Sequence, residues 1–174
     1  MKSTAKVKDD QRSESQAKAQ YESIASMVRR LEHARTCHNT ECGLSNADIF
    51  DGLGLYYKAG DKKYGRKATA EMREEYHDED AARQVIQEDP LSVEVRSGWH
   101  TLGDKDGIKP EEYTILLCTG GPACRIIGTL NEYQEPETAR IEHQDWGTPW
   151  TEYRLDADEE AVVLTYARQF YFGE

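Results

Sequence analysis

Hydrophobic positions recur along this chain at two periods, and the change comes at Pro90. Tyr21, Ile24, Met27, Val28 and Leu31 fall three and four residues apart, the spacing of an amphipathic helix running to about Arg35. Ser45 or Asn46 can cap a short helix through Ile49, Phe50 and Leu53. Ala82, Val85 and Ile86 again have helical spacing inside residues 68–89, with a break near His77 and a stop at Asp89-Pro90. Beyond Pro90 the period becomes two. Leu91, Val93 and Val95 alternate with Ser92, Glu94 and Arg96, which predicts a half-buried strand. Further strands are predicted at Tyr113–Cys118, Cys124–Leu130, Ala139–Trp146 and Trp150–Leu155, the first two joined through Thr119-Gly120-Gly121-Pro122. Asp156 or Asp158 caps a last helix that buries Val163, Tyr166, Ala167 and Phe170. The strand connections are too short for parallel crossovers. The pattern therefore predicts an α+β fold, with a four- to five-stranded mainly antiparallel sheet and flanking helices.

Composition divides the chain. Residues 1–20 are polar and lack apolar periodicity, which reads as a flexible tail. Residues 21–67 read as a helix plus an irregular basic segment, and residues 68–174 as an acidic α+β domain. The first 67 residues carry 13 Lys/Arg against 9 Asp/Glu, a net +4; the remainder carry 9 against 24, a net −15. So acidic a body disfavours direct nucleic-acid binding by residues 68–174 and favours a basic protein surface as partner. No run of about 18 apolar residues is present, so no membrane partner is expected. The N-terminus has no apolar core of a secretory signal, which points to the cytoplasm and to reduced cysteines.

The strings EDPLSVEVRSGWH, YTILLCTGGPACRIIGTL, EHQDWGTPWTEY and ARQFYFGE, over about residues 80–174, resemble a small uncharacterised protein family of bacteriophages, prophages and plasmids. That resemblance implies a mobile-element origin and a bacterial host, and it brings no catalytic residues with it. Together with the charge, it suggests a non-enzymatic inhibitor of a host nucleic-acid-handling defence system, of anti-CRISPR or anti-restriction type. In this reading Glu71, Glu74, Glu75, Asp78, Glu79, Asp80, Glu88 and Asp89 imitate a row of phosphates and occupy a Lys/Arg channel of a host nucleic-acid-binding complex. Trp99, Trp146 and Trp150, all at strand ends or turns, join the partner-binding surface if they are exposed.

Two other readings compete. Cys37, His38 and Cys42 offer two thiols and an imidazole within six residues, part of a zinc site that Cys118 or Cys124 would complete. Cys118 and Cys124 fall on a predicted hairpin, however, and as cross-strand neighbours they fit a core better than a ligand set. Ordinary reduced cysteines and no cofactor rank above zinc on spacing alone. A cysteine nucleophile would need one of His33, His38, His77, His100 or His143 as its base, and no family signature surrounds any of the four cysteines. His77 lies in a carboxylate run that reads first as a solvated helix face. The remaining reading is a homo-oligomeric regulatory protein touching nucleic acid through Arg29, Arg30, Lys62, Lys63, Arg66 and Lys67.

Overall fold

The computed structural model describes residues 3–55, 67–103 and 108–173. Its elements run α1 (Ser3–Thr36), α2 (Asn46–Gly52), α3 (Ala70–Tyr76), α4 (Glu79–Glu88), β1 (Ser92–Arg96), β2 (Glu112–Cys118), β3 (Ala123–Thr129), β4 (Arg140–Gln144), β5 (Thr151–Tyr153) and α5 (Ala157–Ala167). The five strands form one antiparallel sheet in sequence order, each hydrogen-bonded to the next. This is the α+β class that the two periods predict. The chain separates into two compact units, one made of Met1–Ile24 and Asp89–Glu174, the other of Ala25–Glu88.

The first unit is built on the sheet. Side chains alternate across it, so Tyr113, Ile115 and Leu117 of β2, Cys124 and Ile126 of β3, and Ile141 and His143 of β4 are buried. Register places Ile115 against Ile126 and Ile126 against Ile141, a fully buried ladder through the middle of the sheet. From α5, Val163, Tyr166 and Ala167 are buried, and Tyr166 Oη donates to Asp89 Oδ2 at 2.6 Å. Asp156 caps α5 in a reciprocal box with Glu159. Phe170 lies past the end of α5 and is only half-buried; Phe172 takes the buried place, its ring 4.7 Å from that of Tyr113.

The main departure from the sequence reading is the start of α1. Residues 1–20 read as a tail, yet the helix begins at Ser3. The stripe that holds it is made of small residues: Ser13 and Ala17 are buried, four apart, and Ile24 follows after two more turns. Ser13 Oγ lies 3.0 Å from His143 Nδ1, and Gln16 Nε2 reaches Cys118 Sγ at 3.7 Å. Small side chains let the helix approach the sheet closely, and they contribute almost nothing to an apolar-periodicity count.

The second unit is helical, with Val28, Leu31, Ala34, Ile49, Phe50, Tyr76, Ala82 and Ile86 buried. Ser45 caps α2 in a box with Asp48, and the hydrogen bonds from Ser45 hold the Asp48 carboxyl below its ordinary pKa. Thr69 caps α3. Asp78 caps α4, accepting from Ala81 N at 3.0 Å. The break near His77 is therefore real, and it makes two short helices out of residues 70–88. Arg30 is a correction to the nucleic-acid reading. Its side chain is buried and donates to the carbonyls of Glu75 at 2.7 Å and Gly52 at 3.5 Å. A guanidinium spent on helix-end carbonyls cannot meet a phosphate, and its burial holds its pKa below the usual arginine value. Arg29 and Lys67 are exposed, while Lys62, Lys63 and Arg66 lie outside the described residues.

The Ile ladder and one glycine set the tolerance of the sheet. A Cβ on Gly128 would run into the carbonyl oxygen of Thr138. Ile126→Ala should cost about 2–5 kcal/mol, and Gly128→Ala about 1–3 kcal/mol through overpacking, both read as urea midpoints of the sheet unit's transition.

Candidate metal centre

His33 sits in the last turn of α1, and Cys37 follows immediately after the helix. The Cys37 amide still donates to the His33 carbonyl at 2.8 Å, so the helical path carries one residue further and sets His33 and Cys37 on one face, four apart. The chain then turns back. Asn39 organises the turn, its Oδ1 accepting from Glu41 N at 3.0 Å and its carbonyl from Cys42 N at 2.9 Å. This brings Cys42 over the helix end. His77 comes from far along the sequence as the residue that closes α3, where a tight last turn aims its ring inward.

The four side chains converge. One ligand atom from each of His33, Cys37, Cys42 and His77 lies within 4.8 Å of all the others. His33 Nε2 and His77 Nε2 are 3.1 Å apart; Cys42 Sγ is 3.5 Å from the first and 3.3 Å from the second. Zinc bonds of about 2.0–2.1 Å to nitrogen and about 2.3 Å to sulfur, arranged as a tetrahedron, give edges of about 3.3 Å between nitrogens, about 3.6 Å from nitrogen to sulfur and about 3.8 Å between sulfurs. The three distances fall short of the corresponding edges by no more than about 0.3 Å.

The surroundings suit a cation. His77 Nδ1 stands 2.6 Å from the Arg73 carbonyl, an acceptor, so the proton belongs on Nδ1 and the Nε2 lone pair faces the cluster. Burial holds the His33 pKa below that of a free imidazole and favours the neutral, ligating form. Tyr76 is buried and meets both imidazoles edge-on, ring centroids 5.5 Å from His33 and 5.7 Å from His77. Arg35 and Arg83 both bind Glu79, which ties the end of α1 to the start of α4. All four candidate ligands are half-buried.

Sequence reading finds half of this set. Cys37 and Cys42 belong to it; His38 is exposed and outside it. The usable signal is helical: position 33 shares a face with 37, whereas 38 is turned about 100° away. His77 has no local signal, because only the packing of α3 brings it near α1. Cys118 and Cys124 are direct cross-strand partners in the sheet unit, as the hairpin predicts. Burial raises the pKa of both thiols, that of Cys124 to about 12, which disfavours the thiolates a metal would need.

The other predicted positions are dispersed. Glu71, Glu74 and Glu75 lie on α3, exposed; Asp78 caps α4; Glu79 pairs with Arg35 and Arg83, and Asp80 with Arg83. Glu88 accepts from Gln84, and Asp89 from Tyr166. Trp99 is fully exposed, and Trp146 is largely so, its indole N–H donating to the Gly120 carbonyl at 2.8 Å. Trp150 carries the Arg125 guanidinium 4.0 Å above its ring. A depression of about 560 Å³ on the outer face of the sheet is lined in part by Arg96, Arg125 and Arg140. Each of these is already paired, with Glu112 or Glu142.

Fold and cluster together define an α+β protein of two units carrying a two-cysteine, two-histidine ligand set. No protein-family model, curated protein or solved structure matches the chain.

His33→Ala should reduce affinity for zinc by more than the roughly 100-fold that loss of an outer partner costs, while His38→Ala should leave it unchanged. Competition titration against a chromophoric chelator measures both.

Proposed function

We propose that this chain is a zinc-binding protein whose helical unit is organised by one Zn²⁺ held by His33, Cys37, Cys42 and His77. The observation that carries the reading is the convergence of four ligand atoms within 4.8 Å of one another, three of them 3.1, 3.3 and 3.5 Å apart and drawn from three separate stretches of chain. Four protein ligands leave no position for water or substrate, so the site is structural and the protein non-enzymatic at this centre. Mixed sulfur and nitrogen donors select zinc over the hard cations that prefer oxygen.

The ion would join the C-terminal end of α1, the 37–42 turn and the end of α3. Among the described residues, the buried apolar neighbours in sequence at those joints are few, Leu31, Ala34 and Tyr76. The acidic-surface reading rests on a continuous carboxylate row. The break at His77 and the ion pairs of Glu79 and Asp80 divide that row, which leaves the ligand cluster as the more specific arrangement.

Purified protein should carry one equivalent of zinc by elemental analysis. Cobalt in its place should show the visible bands of a tetrahedral site with thiolate charge transfer. Free zinc at about a hundred times Kd should stabilise the helical unit by about 2.7 kcal/mol, and Cys42→Ser should abolish that gain. A protein that binds neither ion, or whose Cys42→Ser variant binds as well as the parent, would overturn the reading.

A further inference from the structure

β1 is the edge of the sheet. One side of its backbone pairs with β2, and no strand among the described residues pairs with the other. An open edge presents unpaired N–H and C=O groups, a template for another strand. The side chains here are open as well. Every residue from Val93 to Arg96 is exposed, and Leu91 beside them is 60% exposed. Val93 and Val95 oppose Ile115 and Tyr113 in register, so they continue the apolar face of the sheet into water.

The order of charges on β1 says what fits this edge. A strand added antiparallel must keep valine on the valine face, because a one-residue slip turns every side chain over. A second copy of β1 has three such registers. Centred on Glu94, it sets Glu94 against its own copy, a like-charge pair. Centred on Val93, it leaves Glu94 and Arg96 without opposite charges across the seam. Centred on Val95, it sets Val95 against Val95 and Glu94 against Arg96 twice, once on each side of the two-fold axis. The Arg96 guanidinium already meets Glu112 on β2 and has donors enough for a second carboxylate. We infer that the chain self-associates through β1, antiparallel and in the Val95-centred register, joining two sheets into one continuous sheet. The contact is isologous and closes at two copies. Strand pairing of this length lies at the small end of interfaces, so the dimer forms reversibly at micromolar concentrations.

Sedimentation equilibrium on the full chain tests this. Wild type should fit a monomer–dimer equilibrium. Glu94→Arg turns both attractive pairs repulsive and should weaken the dimer about tenfold or more, and Arg96→Glu should do the same. Mixed one to one, the two variants should associate with each other, since both charge pairs across the seam then set an arginine of one variant against a glutamate of the other. Circular dichroism of each variant establishes that it is folded. A wild-type chain that stays monomeric at several hundred micromolar overturns the inference, as does a dimer indifferent to Glu94→Arg or a mixture that fails to associate. Association of the edge with some other chain only, with wild type monomeric, overturns it too.

Discussion

One helix, α1, supplies residues to both units, and it cannot bury itself by hydrophobicity alone. α1 is 34 residues long and polar over most of its length. Its first part is held by small side chains, Ser13 and Ala17, whose contribution is close approach more than apolar area. Its last part carries Val28, Leu31 and Ala34 into the helical unit, and the two terminal nitrogens of Arg30 among them donate to the carbonyls of Glu75 and Gly52. A buried guanidinium is tolerable only because those acceptors are fixed by other helices. The end of α3 is thus held to α1 by a hydrogen bond one residue away from Tyr76 and two from His77. The geometry of the ligand cluster follows from that constraint.

What can be read from the sequence follows from how local each signal is. Strand β1 announces itself by alternation, β2 by the apolar run Ile115, Leu116 and Leu117, and the turn from β2 to β3 by Gly120 and Gly121, both with positive φ. The caps at Ser45 and Asp156 are legible to within one alternative each, Asn46 and Asp158, since a cap is a contact over two or three residues. The start of α1 is not. Ser13 and Ala17 matter through what they pack against, and His143 lies 130 residues away from Ser13. The ligand cluster shows both cases together. Cys37 and Cys42 are visible as a pair, and His33 is within reach of a count of helical turns. His77 requires knowing that α3 folds back to α1, which no local pattern states.

The size of the helical unit gives the proposed metal a physical role. The described residues of 25–88 bury few large apolar side chains, and segments this short seldom reach a comfortable stability from their core alone. Disulfides are one remedy, metal ligation another, and the four cysteines here are free thiols. A closed site that joins a helix end, a turn and a second helix end constrains three segments with a single ion. Binding free energy at such a site is folding free energy. The candidate ligands fall at or just past element termini, where side chains can turn toward one point without breaking a helix.

The two units carry opposite solutions to the same problem of incomplete burial. The helical unit gathers polar ligands where its core is thin, whereas the sheet unit leaves an edge open. Natural sheets blunt their edges with charges, and β1 does carry Glu94 and Arg96 on one face. On an edge meant only to repel, charges of one sign would serve best. Alternating signs two residues apart reject most partner strands, and they satisfy one another in a single antiparallel register with the same sequence. Charge placed this way admits one pairing and penalises its neighbours, which is how an exposed strand with Val93 and Val95 beside it can avoid indiscriminate association. The acidic excess of residues 68–174 acts in the same direction at longer range, opposing close approach except where opposite charges are matched.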